Sequence, residues 1–140
     1  MTQTYAGDVS VTATWKALEE DPRAVLVDVR TQAEWNYVGL PDLSSLGKPV
    51  VRVQWQTWPE GAVNPSFAEE VAAAGVEPDQ HVYLICRSGA RSRSAAQLLT
   101  QKGWRNAYNV ADGFEGPHDG ARHRGTVAGW KHDGLPWAQG

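Results

Sequence analysis

Residues 81–102 read HVYLICRSGARSRSAAQLLTQK and combine three patterns in succession. The first part, residues 81–85, is mostly apolar, which is typical of a strand buried on both faces of a parallel sheet. A short polar loop begins at Cys86, and its Ser88-Gly89 pair allows a tight turn of the backbone. From Ser92 onward, alanines and leucines recur at helical spacing. These patterns predict a strand, a loop and a helix, with Cys86 at the start of the loop.

Alternating helices and strands extend on both sides of this stretch. Helices are predicted over 12–20, over 31–37 behind a capping box formed by Thr31 and Glu34, and from the Asn64-Pro65 pair to about Gly75. Short apolar runs predict strands over 24–29, 50–53 and 107–110. Strands separated by helices indicate an α/β domain with a mostly parallel sheet and helices on both faces. The length fits a single domain over residues 1–140.

Charge and composition exclude several classes of protein. The formal net charge is −3, which argues against general nucleic-acid binding because that mode needs a basic face. No apolar run is long enough to span a bilayer, and the first residues lack the basic-then-apolar order of a signal peptide. We therefore expect a cytoplasmic protein without membrane or nucleic-acid partners. No acidic residue lies between Gln80 and Ala111, so this region should attract anions.

Cys86 is the only cysteine, so it cannot form an internal disulfide and suits a reducing compartment. A lone cysteine is often a small apolar core residue, but this one ends a buried strand and begins a turn into a helix. The N–H groups of such a loop can converge with the positive end of the helix dipole to form an anion cradle. With Arg87 and Arg91 nearby, this setting favours the thiolate and makes Cys86 a candidate nucleophile.

Motifs spread along most of the chain match one family. They are Leu26-Val27-Asp28-Val29-Arg30 with Glu34-Trp35, the segment 82–92, Gly103-Trp104, Val110-Ala111-Asp112-Gly113-Phe114, Trp130-Lys131 and Gly134-Leu135-Pro136. In these motifs the sequence resembles a single-domain rhodanese, a thiosulfate sulfurtransferase-like fold. The resemblance implies a central five-stranded, mostly parallel sheet flanked by helices on both faces. It also implies that Asp28 and Arg30 are structural residues near the site.

The same resemblance gives roles to the loop that begins at Cys86. Cys86 would be the nucleophile, Arg87 would receive an anionic donor, and Arg91 would hold the loop in place. The substrate-binding positions, whose amides would bind the outer sulfur, would be Arg87, Ser88, Gly89, Ala90 and Arg91. Cys86 would take a sulfane sulfur from thiosulfate or a related donor and pass it from a persulfide to a thiol or cyanide. No metal and no organic cofactor is expected.

Two alternatives remain open from the sequence. The first is phosphatase or arsenate reductase chemistry on oxyanions, because similar folds also use a cysteine in a cradle for it. Four residues lie between Cys86 and Arg91, whereas the phosphatase signature has five, and residue 85 is Ile where that signature usually has His. The second is a non-catalytic interaction domain, although such domains typically lose the cysteine that this chain retains.

A glycine-rich insertion at about 115–129 departs from the family pattern. Arg122 or Arg124 within it is a candidate for selecting the donor or acceptor anion. His118 and His123 match no standard zinc spacing, so we predict no metal site there.

A second departure is the tryptophan-rich segment that contains Trp55 and Trp58. We expect both side chains to cover the core, with a rim around the mouth of the site or a partner surface as the alternative. The sequence fits either a monomer or a homodimer.

Overall fold

The computed structural model describes residues 5–56, 62–116 and 128–138. The α-helices are α1 (Val11–Glu20), α2 (Gln32–Tyr37), α3 (Phe67–Ala73) and α4 (Ala90–Gln101), and a short 3-10 helix covers Ser44–Leu46. The strands are β1 (Gly7–Val9), β2 (Val25–Asp28), β3 (Leu40–Pro41), β4 (Val51–Arg52), β5 (Val82–Ile85), β6 (Ala107–Val110) and β7 (Trp137–Ala138). Within these ranges, no helix has the length and apolar character needed to cross a membrane.

Five strands form the central sheet in the order β1-β6-β5-β2-β4, and every neighbouring pair is parallel. The predicted five-stranded parallel sheet is therefore confirmed. Because all the strands run in one direction, their carboxyl ends meet at the same edge of the sheet. Asp28 pairs in register with Ile85, so the last residue of β2 lies beside the residue that precedes Cys86.

The central strand β5 separates two hydrophobic clusters. Val82 and Leu84 belong to the cluster that includes side chains of α3 and α4. Tyr83 and Ile85 belong to the other cluster, which includes side chains of α1 and the buried Trp130. Alternate side chains of a strand point to opposite faces of the sheet, so both faces are covered. This double burial explains why the sequence of β5 is a continuous apolar run.

Two features were not found in the sequence patterns. The edge strand β1 has three residues, is only partly buried and pairs with β6 alone. It is therefore too short to show an alternation of polar and apolar residues in the sequence. Only the family resemblance implied a fifth strand. The two-residue strands β3 and β7 form a separate antiparallel pair in which Leu40 lies opposite Ala138. This pairing joins positions almost a hundred residues apart, which local patterns cannot predict.

Candidate active site

Cys86 follows the carboxyl end of the central strand, as predicted, and is 1% exposed. Its Sγ accepts hydrogen bonds from the backbone N–H of Gly89 at 3.1 Å and from that of Ser92 at 3.4 Å. The Ser92 Oγ lies 3.2 Å from the same sulfur. The loop therefore curls around Sγ, with two backbone donors directed at the sulfur and the first turn of α4 behind it.

The turn into the helix depends on Gly89. This residue has a φ of 105° and occupies the N-cap position of α4, so the helix begins at Ala90 rather than at the predicted Ser92. A Cβ atom at position 89 would overlap the carbonyl oxygen of Ala111. Glycine is required here both for the backbone conformation and for the close approach of the segment after β6.

The segment after β6 holds the loop from outside. The Phe114 N–H donates to the Cys86 carbonyl at 2.8 Å, and the Glu115 N–H donates to the Arg87 carbonyl at 3.0 Å. Gly113 has a φ of 68°, and a Cβ there would overlap these same carbonyls. The cysteine loop is thus fixed by a turn that follows it by more than twenty residues in the chain.

A pocket of about 260 Å³ opens above Cys86. Its lining consists of Gln56, Cys86, Arg87, Ser88, Ala90 and Arg91. The structure therefore brings together at one pocket four of the five predicted substrate-binding residues, while Gly89 lies buried beneath it. Gln56 was not predicted, because a single glutamine forms no recognisable motif. The only indication in the sequence was its position in the tryptophan-rich segment that contains Trp55 and Trp58.

Arg91 is held by Glu34 rather than left free in the pocket. Its Nη1 and Nη2 donate to Oε1 and Oε2 of Glu34 at 2.6 and 2.9 Å, a bidentate ion pair between α4 and α2. Burial raises the pKa of Glu34, but the hydrogen bonds and charge of Arg91 outweigh this and hold it below its ordinary value. Those hydrogen bonds likewise raise the pKa of Arg91. Glu34 also completes the predicted capping box with Thr31, so one carboxylate both caps α2 and anchors the loop.

Asp28 and Arg30 form a fully buried ion pair below the loop. Oδ2 of Asp28 accepts from Nη2 of Arg30 at 2.8 Å, and Oδ1 accepts from Nε at 2.9 Å. Arg30 also donates to the Gly39 carbonyl and lies over the ring of Phe114, 4.3 Å from its centroid. These contacts connect β2 to the turn that fixes the cysteine loop.

A row of polar side chains, which the sequence patterns did not identify as part of the site, continues away from the sulfur. Ser92 Oγ donates to Oδ1 of Asn109 at 2.6 Å, and Nδ2 of Asn109 donates to Asp8 Oδ1 at 2.9 Å. Ser92 and Asn109 are both fully buried. The only signal in the sequence was the presence of a polar residue, Asn109, inside a short apolar strand.

Trp55 packs against the core as expected, with its ring in an edge contact to Phe67 at 5.2 Å. Trp58 lies outside the described residues. So do Arg122 and Arg124, together with the histidines of the predicted insertion.

The chain on either side of 117–127 is fixed to the turn that holds the cysteine loop. The Trp130 N–H donates to the Gly113 carbonyl at 2.9 Å, and the Lys131 N–H donates to the Phe114 carbonyl at 3.1 Å. Gly116 approaches the backbone of Ala128 so closely that a Cβ atom would overlap it. The chain therefore leaves and returns beside the candidate site.

An all-parallel five-stranded sheet, with a cysteine loop after its central strand and a helix starting directly behind that loop, defines the rhodanese-like class of α/β domains. Residues 6–140 match the family model described as the STR4 middle domain, and the chain belongs to this rhodanese-like family.

Individual relatives agree with this placement. An uncharacterized protein of Rickettsia conorii is 36% identical over 132 residues, which cover 93% of this chain and 95% of that protein. The chloroplastic rhodanese-like domain-containing protein 4 of Arabidopsis thaliana is 28% identical over 123 residues, or 87% of this chain and 23% of that longer protein. A sulfurtransferase of Allochromatium vinosum is 27% identical over 119 residues, or 85% and 82% of the two chains. Sulfurtransferases therefore occur among the relatives of this chain.

A solved structure shows the same fold over nearly the whole length. The crystal structure of Rv0390 from M. tuberculosis superposes with a TM-score of 0.87 at 50% sequence identity, covering 97% of this chain and 99% of that one.

Proposed function

We propose that this protein is a sulfurtransferase that carries a sulfane sulfur on Cys86 as a persulfide. The observation that carries the proposal is the position of Sγ: it lies at the base of a pocket and accepts hydrogen bonds from two backbone amides, that of Gly89 in the loop and that of Ser92 in the first turn of α4. Donors of this kind stabilise negative charge on sulfur. The named sulfurtransferase among the relatives supports the same chemistry at the level of the family.

The reaction is a double displacement. The Cys86 thiolate attacks the outer sulfur of thiosulfate or a related donor, the sulfur–sulfur bond of the donor breaks, and sulfite leaves with the bonding electron pair. The enzyme then holds a Cys86 persulfide. An acceptor thiolate or cyanide attacks the outer sulfur, and the electron pair of the persulfide bond returns to Cys86 as thiolate. No net oxidation or reduction occurs, so the cycle requires no redox cofactor.

Charge around the pocket suits an anionic donor. Arg87 is exposed at the lining of the pocket, whereas Arg91 is paired with Glu34. In this proposal Arg87 receives the anionic end of the donor, and Arg91 keeps the loop in place. The amides of the loop from Arg87 to Arg91 hold the outer sulfur of the persulfide. A free thiol in this role requires reduction, so we place the protein in a reducing compartment such as the cytoplasm.

Mass spectrometry tests the proposal directly. The protein is reduced, treated with thiosulfate and measured intact; the expected result is a gain of one sulfur atom, removed again by cyanide. Cys86→Ala is the matched control, since it lacks the only thiol, and it should gain nothing and turn over no donor.

The same preparation is then tested on an aryl phosphate, because oxyanion chemistry is the competing use of a cradled cysteine. Absence of the added sulfur together with phosphate release would replace the proposal by the phosphatase alternative. Absence of both would favour a non-catalytic interaction domain.

A further inference from the structure

A continuous row of hydrogen-bonded side chains runs from the sulfur of Cys86 to the protein surface. Sγ lies 3.2 Å from Ser92 Oγ, which lies 2.6 Å from Oδ1 of Asn109, whose Nδ2 lies 2.9 Å from Asp8 Oδ1. The first three residues are buried, whereas Asp8 is exposed on the edge strand β1. The row joins the cysteine loop, α4, β6 and β1, and the proposed double displacement makes no use of its outer two members.

The chemistry of each group fixes the direction of these hydrogen bonds. A carboxylate only accepts, so Asn109 must turn its amide nitrogen toward Asp8. The amide oxygen of Asn109 therefore faces Ser92 and accepts the single hydroxyl proton, in a short contact. With that proton committed, Ser92 Oγ presents only lone pairs to Cys86 and can accept from a thiol but not donate to a thiolate.

We propose that Asp8 and Asn109 are positioning residues that turn the Ser92 hydroxyl away from Cys86, so that Ser92 stabilises the resting thiol. The proposal deepens the sulfurtransferase assignment and rests on it, since it concerns the regulation of the same nucleophile. When Cys86 loses its proton, the Ser92 hydroxyl either keeps its lone pairs toward the thiolate or rotates and leaves the buried Asn109 oxygen without a donor. Both outcomes are unfavourable. The row therefore opposes the two backbone N–H groups that donate to the sulfur.

Charged groups on all sides of the row stay the same when Ser92 is replaced by Ala. Near the sulfur they are Arg87 and the Arg91–Glu34 pair, with Asp28 acting on Arg91 from β2. At the outer end, Tyr5 donates to Asp8 Oδ1 at 2.9 Å; burial and then this hydrogen bond raise the pKa of Tyr5, while Arg93 lowers it. A shift caused by changing Ser92 therefore comes from the hydroxyl and not from an altered charge.

The first experiment measures the rate at which iodoacetamide alkylates Cys86 as a function of pH, in the wild type and in Ser92→Ala. Cys86 is the only thiol, so the whole signal belongs to it. Loss of an acceptor for the thiol should lower the pH midpoint by about 0.5 to 1, the shift expected from one hydrogen bond of ordinary strength. If Ser92 instead donates to the thiolate, the midpoint rises. A rise or an unchanged midpoint overturns the proposal. A change in accessibility alone alters the limiting rate and leaves the midpoint in place.

The second experiment changes Asp8, which is exposed and therefore tolerant of substitution. In Asp8→Asn the amide of Asn109 is free to turn and donate to Ser92, whose proton then points to the sulfur, so the midpoint should fall as well. Removal of a negative charge acting through space would also lower it. The double variant Asp8→Asn, Ser92→Ala separates the two causes.

In the Ser92→Ala background, the positioning role predicts no further shift from Asp8→Asn, because the hydroxyl that Asp8 orients is gone. Additive shifts would mean that Asp8 acts as a charge only, and the positioning role would be refuted. Alkylation requires no sulfur donor. The midpoints therefore test this inference even if mass spectrometry shows no persulfide, and a persulfide can form even if the midpoints do not move.

Discussion

The ion pair between Glu34 and Arg91 gives a sharp prediction about loop stability. In Glu34→Gln, the neutral side chain keeps the shape of glutamate and can still complete the capping box with Thr31, because Gln serves in that motif as Glu does. The variant therefore removes the charge that binds Arg91 and leaves the helix cap in place. Arg91 then remains partly buried without a counter-charge, and the amide nitrogen of Gln, which cannot accept, removes at least one of the two hydrogen bonds that link the loop to α2.

The expected size follows from the burial of the pair. The two side chains are 21% and 20% exposed, between fully exposed pairs, which contribute about 0.2–1 kcal/mol, and fully buried pairs, whose disruption costs about 3–5 kcal/mol. We expect Glu34→Gln to lower the free energy of unfolding by about 1–3 kcal/mol, or the Tm by roughly 3–9 °C for a chain of this size. The rate of sulfur transfer should also fall, because the wall of the pocket that Arg91 forms is no longer fixed.

The loss of stability in Glu34→Gln must depend on pH in a definite direction. The pKa of Glu34 in the folded protein lies below its ordinary value of 4.5. Its contribution to stability is therefore fully present above that ordinary value and is lost as the pH falls through the folded value. The difference in the free energy of unfolding between the wild type and Glu34→Gln should be constant near neutral pH. It should shrink as the solution is acidified from pH 5 to pH 3.

Urea denaturation at a series of pH values is the assay. Asp79→Asn is the matched control, because it breaks the Arg23–Asp79 ion pair, whose side chains are 51% and 71% exposed, and should leave the unfolding midpoint almost unchanged. The reasoning is refuted if Glu34→Gln unfolds with the wild-type midpoint at neutral pH. It is also refuted if the difference persists undiminished at pH 3.

Further predictions concern the loop and the pocket. Gly89→Ala should destabilise the protein by about 2 kcal/mol or more and suppress sulfur transfer, because it combines an unfavourable φ with overlap at Ala111. Gly103→Ala is its control: its φ is 110° but nothing lies within 4 Å of an added Cβ, so thermal unfolding should show only the backbone penalty of about 1 kcal/mol. Equal losses in the two variants would contradict the overlap argument. Arg87→Ala should raise KM for thiosulfate about tenfold with a smaller change in kcat, whereas Arg105→Ala, also exposed and cationic, should leave initial-rate kinetics unchanged.

The part of the site that local sequence patterns predict is the part built from neighbours in the chain. The strand β5, the loop at Cys86 and the helix α4 follow directly from apolar runs, a Ser-Gly turn and helical spacing. The capping box at Thr31 is equally local, because its two partners lie three residues apart.

Contacts between distant positions could not be predicted in this way. The Glu34–Arg91 pair joins residues 57 apart and the Asn109–Asp8 hydrogen bond joins residues 101 apart, so only the assembled sheet brings them together. Asn109 shows the difficulty most clearly: in the sequence it is one polar residue in a short strand, and its function depends on what α4 and β1 place beside it. The capping box with Thr31 likewise accounts for Glu34 at the local level. Nothing in the sequence therefore indicated its second contact, the ion pair with Arg91.

The doubly anchored turn around Gly113 and Phe114 has a consequence for how such domains can diversify. The backbone after residue 127 is hydrogen-bonded to that turn, and the turn is hydrogen-bonded to the carbonyls of Cys86 and Arg87. These hydrogen bonds all come from residues that flank 117–127. We therefore expect a change of length or composition between these two anchors to leave the hydrogen bonds that support the nucleophile in place.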